Sequence, residues 1–324
     1  MNGSVLTLDD IAAADREDFR REVLAGLAQK ARAIPARFLY DARGSALFDE
    51  ICELPEYYLT RTETRILAER APEIARLAGP HPALVEFGSG SSVKSRLLLD
   101  AIGDLAAYAP IDISREHLEA SAARLRRDYP GLNVEPVCGD YMTLERLPHM
   151  RADGRHLGFF PGSTVGNLEP ADATAFLRRA RRLLGDDGAL VLGVDLRKDA
   201  RVLHDAYNDS AGVTAAFTLN LLRRMNRELH ASFDLDGFAH EAFYNEGEGR
   251  IEIYFRSLRD QQVPVAGRSF AFARGERVHT EYSYKYDLPG IEALASSGGF
   301  RIGALWTDPE RLFAVAYLQA AYTK

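Results

Sequence analysis

The 324-residue sequence holds two cysteines, Cys52 and Cys138, far apart and without metal-ligand spacing. That leaves no disulfide framework and no thiolate metal centre, and a reducing compartment is expected. Positive charge is not in excess either. Forty Lys and Arg stand against 47 Asp and Glu, a net charge of -7, which is not the footprint of a nucleic-acid binder. The local cluster Arg178, Arg179, Arg181 and Arg182 falls on a helical pattern and reads as a solvated face. No apolar run is long enough to span a bilayer, and Met1–Asp10 lacks the basic segment and apolar core of a secretion signal. A soluble, cytoplasmic protein with no membrane or nucleic-acid partner is expected. No heptad stripe stands out, so a monomer is expected. What is present is apolar mass: 46% of residues are hydrophobic, enough for one large domain or two modest ones.

The most informative segment is Leu84-Val85-Glu86-Phe87-Gly88-Ser89-Gly90-Ser91-Ser92-Val93-Lys94. An apolar run ends at glycines spaced by one residue and passes into an amphipathic helix. That is the strand, turn and helix with which doubly wound α/β folds hold nucleotide-like cofactors. Gly88 and Gly90 allow a backbone approach that a Cβ would block. The third glycine of the dinucleotide pattern is replaced by Val93, which favours S-adenosylmethionine over a pyrophosphate cofactor. Asp112 ends the next apolar run, 24 residues after Gly88, where a carboxylate can accept from both ribose hydroxyls; it can equally cap the helix that starts near Ser114. Asp140 follows the third run and suits the adenine amino group, with the Tyr141 N–H donating to the ring; the alternative is an ordinary turn aspartate after Gly139. Glu86 can orient the loop or receive the cofactor's ammonium. Lys94, a lysine at a helix start where the dipole disfavours it, can meet the cofactor's carboxylate. No metal is called for.

Strands are expected at Ala83–Phe87, Ala106–Asp112, Asn133–Cys138, Leu157–Pro161 and Ala189–Asp195. Helices are expected between them at Ser92–Ala101, Arg115–Asp128 and Ala171–Leu184. This alternation argues for a parallel sheet covered on both faces. Before it, the pattern gives a helix at Asp9–Arg32, a loop through residues 38–58 and a helix from Thr62 to about Gly79. After it, one long helical region, Ala200–Leu229, leads into hairpin-spaced strands between Ala239 and Tyr286 that read as one antiparallel sheet. A helix at Leu288–Ser296 and a closing hairpin, Phe300–Trp306 with Phe313–Gln319, complete the chain. The fold class is therefore α/β: a Rossmann-like S-adenosylmethionine-dependent methyltransferase fold with a terminal antiparallel hairpin, plus a second, α+β substrate-binding domain. The expected division is 62–195 with 287–324 for the first and 1–61 with 196–286 for the second.

Further motifs sharpen this. Phe160-Pro161-Gly162-Ser163-Thr164-Val165-Gly166-Asn167-Leu168 follows the fourth strand. Phe38-Leu39-Tyr40-Asp41, Leu54-Pro55-Glu56-Tyr57-Tyr58, Ala206-Tyr207-Asn208-Asp209, Ala211–Phe217, Asn226-Arg227-Glu228-Leu229 and Thr280-Glu281-Tyr282-Ser283 accompany it. With these motifs the chain resembles the histidine Nα-methyltransferases that open ergothioneine biosynthesis, from about residue 20 to the last strand. That family converts L-histidine to its betaine, hercynine, by three methyl transfers. The resemblance implies that Asn167 and Tyr207 hold the substrate carboxylate, and that Tyr57, Glu281 and Ser283 read the imidazole. It implies that the Gly162 carbonyl accepts from the amino group, and that Tyr40 and Phe217 line the space around the nitrogen. Gly88, Lys94, Asp112, Asp140 and Tyr141 match its cofactor contacts. By residue type alone, Glu281 would read as a solvent-facing strand residue and Tyr40, Tyr57 and Tyr207 as packing aromatics. Ile253 stands where the family often has methionine, a stiffer shape of similar volume that bears on amino-acid preference. Two alternatives stay open: a tryptophan-like acceptor, and a non-catalytic sensor of the cofactor or an amino acid.

Overall fold

The apolar runs that alternate with helices become a seven-stranded sheet, because strands covered on both faces need no polar alternation. In the computed structural model, which describes residues 8–89, 93–113, 115–148 and 154–321, the strands are β1 (Ala83–Phe87), β2 (Ala107–Asp112), β3 (Val137–Cys138), β4 (His156–Phe160), β5 (Ala189–Asp195), β6 (Phe238–Asn245), β7 (Arg250–Ser257), β8 (Gln261–Val265), β9 (Arg268–Phe272), β10 (Arg277–Tyr284), β11 (Phe300–Thr307) and β12 (Phe313–Ala320). The helices are α1 (Leu8–Ala28), α2 (Ala42–Cys52), α3 (Tyr58–Ala78), α4 (Val93–Ile102), α5 (Arg115–Asp128), α6 (Pro170–Leu184), α7 (Ala200–Tyr207), α8 (Val213–Glu228) and α9 (Leu288–Ser297).

The chain divides into two compact units: Met1–Tyr58 with Asp199–Tyr282, and Leu59–Lys198 with Ser283–Lys324. The boundaries differ from the expected 61/62, 195/196 and 286/287 by three or four residues, and the last falls inside β10 rather than after it.

The second unit carries the large sheet, ordered β11-β12-β5-β4-β1-β2-β3. β1 to β5 pair in parallel, while β12 runs antiparallel to both β5 and β11. This is the expected methyltransferase arrangement, with its closing hairpin. Strand order reverses between β1 and β4, so their carboxyl ends open a crevice at the point where such sheets bind ligands. Val85, Phe87, Phe160, Phe176 and Leu192 belong to the core beneath it. β3 is shorter than expected, because only Val137 and Cys138 pair with β2 and Val134 makes an isolated bridge to Tyr108. The Arg178–Arg182 cluster is not a purely solvated face: Arg179 donates to the Leu144 carbonyl at 3.1 Å and Arg181 to that of Gly185 at 2.7 Å.

The first unit departs more from expectation. The loop expected at 38–58 contains a short 3-10 turn, Ala36–Leu39, and the helix α2, started by Asp41, whose side chain accepts from Gly44 N at 2.8 Å. α1 stops four residues short of Arg32. The region Ala200–Leu229 is two helices, because the Asp209 carboxylate accepts from Val213 N and Thr214 N, each at 2.8 Å, and starts α8 afresh. The strands after it form two sheets, β10-β7-β6 and β8-β9, rather than one.

Candidate functional site

Five parallel strands deliver a functional candidate to one edge of the second unit. Gly88 follows β1, Asp112 ends β2, Asp140 follows β3, Gly162 follows β4 and Asp195 ends β5. Gly88 has φ +74°, a left-handed conformation that a side chain would strain, and its N–H and that of Ser89 both donate to the Ile111 carbonyl, at 2.9 and 3.1 Å. Gly90 lies outside the described residues, as does Ser114, near which the helix that Asp112 could cap was expected to start.

Glu86 is buried beneath the turn, where Oε2 accepts from Ser95 Oγ at 2.6 Å and from the Tyr108 hydroxyl. Burial, opposed by those hydrogen bonds, pushes its carboxyl up to about 7. These contacts tie β1, β2 and α4 together beneath the turn. Asp140 uses Oδ1 to accept from Met142 N at 2.8 Å, a local turn that also aims the residue. Tyr141 packs edge-on against Phe160 and Phe176, with centroids 5.4 and 5.5 Å away, and burial with the neighbouring Asp140 raises its phenol well above the usual range.

The loop after β4 is held by a residue that sequence reasoning missed. Glu63, fully buried on α3, accepts from Gly162 N through both oxygens, at 2.8 and 3.0 Å, and is ion-paired with Lys94. A Cβ on Gly193 of β5 would lie 2.0 Å from Glu63 Oε1, so only glycine leaves room for the carboxylate. Gly162 and Ser163 are both left-handed, with φ +78° and +56°. The serine is the unusual one, and its Oγ accepts from Asp195 N at 2.9 Å. The short turn Thr164–Asn167 that follows lies close to β10: a Cβ on Gly166 would come within 2.7 Å of the Tyr284 carbonyl, and the Tyr284 hydroxyl donates to Glu169 at 2.7 Å.

Asp195 anchors a second buried charge cluster. Its carboxylate meets Lys285 Nζ at 2.8 Å and Lys198 Nζ at 2.6 Å, and Lys285 also donates to Ser283 Oγ at 2.8 Å. Burial would raise the Asp195 carboxyl, but the two ammonium groups outweigh it and hold it below its ordinary value. Lys198 is lowered to about 8, chiefly by burial.

In the first unit the candidates share an aromatic cluster. Tyr40 lies 5.5 Å from Phe48 and 5.3 Å from Phe217, centroid to centroid; Phe48 lies 6.3 Å from Tyr57, and Tyr57 6.1 Å from Tyr207. Phe48 is its hub and was not singled out from the sequence. Asp41 sets the frame, since besides capping α2 it accepts from Asn220 at 2.7 Å and Arg227 at 2.6 Å, both on α8 beside Phe217. Burial raises the Tyr57 phenol well above its ordinary value, so the ring stays neutral. Tyr207 is fixed through its carbonyl, 2.9 Å from His240 Nε2. Ile253 is buried on β7, and its carbonyl accepts from Thr280 at 3.1 Å. Glu281 is 8% exposed, not the solvent-facing residue that its type suggests. Ser283, two positions on, points to the same face of β10 and is also buried.

The donor set at the edge of the second unit fits S-adenosylmethionine: carboxylates at the ends of β2 and β3, an ammonium on α4, and, after β1, a glycine whose left-handed backbone a side chain would strain. Comparisons with known proteins agree. The model of the family described as histidine-specific methyltransferase, SAM-dependent, matches residues 19–320. A histidine N-alpha-methyltransferase of Mycolicibacterium smegmatis is 44% identical over 319 residues, covering 96% of this chain and 98% of that one. One of Mycobacterium tuberculosis is 41% identical over 294 residues, 89% of this chain and 91% of its own. Ergothioneine biosynthesis protein 1 of Neurospora crassa is 31% identical over 288 residues, 85% of this chain but 32% of that longer protein. The chain belongs to the S-adenosylmethionine-dependent, histidine-specific methyltransferase family.

Proposed function

We propose that this enzyme transfers three methyl groups in turn from S-adenosyl-L-methionine to the α-amino nitrogen of L-histidine, giving hercynine as the first step of ergothioneine biosynthesis. Within a family of this specificity, the observation that carries the reading is Glu281, a buried carboxylate two residues before Ser283 on one strand. A carboxylate accepts an imidazole N–H, and a hydroxyl serves the other nitrogen.

When bound, the cofactor supplies an electrophilic methyl group on a sulfonium. Asp112 would accept from its ribose hydroxyls, Asp140 from the adenine amino group, and Lys94, whose ammonium has three donors, would reach the cofactor's carboxylate while keeping Glu63. Gly88, Gly90 and the Tyr141 N–H would shape the remaining contacts. Asn167 and the Tyr207 hydroxyl would donate to the histidine carboxylate, and Tyr57 would complete the reading of the ring. The Gly162 carbonyl, in a loop whose N–H is pinned by Glu63, would accept from the substrate amine and aim its lone pair in the first two transfers, while the neutral amine still carries an N–H. Each transfer forms the N–C bond as the S–C bond breaks. Orientation of this kind can supply roughly 7–11 kcal/mol of a barrier. The ammonium must shed one proton before each transfer, to solvent or to a water held by Tyr40. Tyr40 and Phe217, with Phe48, would surround the nitrogen as it grows bulkier and more cationic, worth about 0.5–2 kcal/mol by cation–π attraction.

A tryptophan-like acceptor is less well served, because it offers Ser283 no second ring nitrogen and sets an apolar ring against a buried carboxylate. The deciding experiment incubates the full chain with S-adenosyl-L-methionine and equal histidine and tryptophan, followed by mass spectrometry. Histidine should gain three methyl groups. Preferential methylation of tryptophan, or binding without methyl transfer as a sensor would give, overturns the reading.

A further inference from the structure

His240 plays no part in the reading above, yet it holds a residue that does. α7 is only eight residues long, and the last carbonyls of a helix have no partner inside it. Asn208, just past its end, donates through Nδ2 to the His204 carbonyl at 2.9 Å and to that of Ala242 on β6 at 3.1 Å. His240, also on β6, has Nε2 2.9 Å from the Tyr207 carbonyl and Nδ1 2.9 Å from Thr218 Oγ1 on α8. A carbonyl can only accept, so Nε2 is the nitrogen that donates to it. Burial holds the ring's pKa below its ordinary value, which favours a neutral ring with Nδ1 bare and accepting from the Thr218 hydroxyl. Were Nδ1 protonated, that hydroxyl could turn and accept, so the bond to Tyr207 does not depend on the far nitrogen. One imidazole thus spans from the last residue of α7 to the residue after Phe217 on α8.

We infer that His240 is a positioning residue for the substrate carboxylate: by tying the Tyr207 peptide to β6, it sets where the Tyr207 hydroxyl stands. The inference rests on the reading of Tyr207 as a carboxylate contact. Tyrosine is a long, stiff lever. A tilt of about 10° at its backbone moves the hydroxyl by about 1 Å, the scale on which a site loses its geometry. The ring meets Tyr57 edge-on at 6.1 Å, a contact that aromatic pairs keep over a range of separations, so it limits the tilt only loosely. Asn208 ties the same helix end to Ala242 one residue later and keeps α7 against the strand when the imidazole is changed. What the imidazole adds is the direction of the Tyr207 peptide, and with it the aim of the side chain.

The test is a double-mutant cycle read by calorimetry, with L-histidine binding to the full chain in the presence of S-adenosylhomocysteine. His240→Asn puts its amide where Nδ1 stands and keeps a partner for Thr218, but is too short to reach the Tyr207 carbonyl. His240→Gln puts a donor where Nε2 stands. The asparagine variant should bind histidine about tenfold more weakly, part of the worth of a hydrogen bond to a charged group, while the glutamine variant stays within about threefold of wild type. Added to Tyr207→Phe, His240→Asn should cost less than about twofold more, the signature of one residue acting through the other. Unchanged binding by the asparagine variant, an equal loss with asparagine and glutamine, or a full tenfold loss in the Tyr207→Phe background would each overturn the inference. A Tyr207→Phe variant that binds histidine as wild type does would instead overturn the reading of Tyr207 as a carboxylate contact, and the inference with it. The wild-type protein offers a measurement that depends on no variant. Long-range ¹H–¹⁵N correlation should find a proton on Nε2 of His240, and a ring protonated on Nδ1 alone would refute the proposal.

Discussion

The loop Gly162–Asn167 is held beside ionised groups: the Glu63 carboxylate, paired with Lys94, accepts from Gly162 N, and Ser163 Oγ accepts from the backbone N–H of Asp195, whose own carboxylate is paired with two lysines. The cluster around Phe48 is held by neutral rings meeting edge to face or tilted, with the Asp41 carboxylate at its margin. The two regions face different tasks. The peptide that would orient the amine must keep one position while the reacting amine still carries an N–H, through the first two transfers, and fixed charges in a dry setting allow little movement. The surface that would surround the nitrogen meets a group that changes size and ends as a permanent cation. Aromatic faces attract a cation without demanding a set distance or a proton. Rigidity by charge and tolerance by ring are thus separated in the chain.

Breaking the charged side should do the most harm. Glu63→Ala would strand Lys94 and release Gly162 N, costing about 3–5 kcal/mol in chemical denaturation, the range for a buried pair broken from one side, with kcat falling further than KM rises. A Glu63→Ala variant of normal turnover would show that the Gly162 peptide needs no anchor. The next effect is a pH dependence. Below about 4.5 Glu86 is protonated folded or unfolded, and its favourable contribution is complete; as pH rises through about 7 that contribution is lost, because the unfolded chain has already released the proton. Glu86→Gln keeps an acceptor for Ser95 and Tyr108 but cannot ionise. Its stability relative to wild type should therefore climb between pH 4.5 and 7, by up to about 3 kcal/mol, and a flat difference would mean that Glu86 stays ionised when folded.

The aromatic side should respond more softly. Phe48→Ala removes a half-buried ring and should cost about 1–3 kcal/mol of stability, below the usual figure for a fully buried phenylalanine. It should also raise the share of mono- and dimethylated product, and an unchanged share would remove the ring cluster from the handling of intermediates. The smallest change is expected for Tyr40→Phe, which keeps the ring. Its rate should fall less than about tenfold, below the roughly hundredfold or more that a direct acid–base role contributes, with a similar product distribution. A larger loss would give the Tyr40 hydroxyl a direct part in proton removal.

The sequence carried the repeating part of the fold well. β1, β5 and α5 fall within the expected limits because continuous apolar runs and an amphipathic period mark them locally. It carried the first unit less well. α2 was hidden because Leu47 and Ile51 are its main buried apolar side chains, amid Arg43, Asp49 and Glu50. Hairpin spacing, likewise, does not tell which hairpins share a sheet. For the candidate site, the sequence pointed to residues at strand ends, whose position is set by local pattern. It was silent on the residues that brace them. Glu63 acts on partners 31 and 99 positions away, and nothing near Glu63 in the chain marks it as buried. Lys285 sits two residues from Ser283, yet an exposed lysine on a strand edge would read the same way.

Gly193 makes the brace a joint property of two distant positions. With any side chain at 193, a glutamate at 63 has no room for its carboxylate as it lies here, and without that glutamate a glycine at 193 leaves a gap against β5. Neither position is improved by changing it alone. A mutational library that samples one while fixing the other would find only losses, whereas paired changes would open sequence space that single substitutions cannot reach.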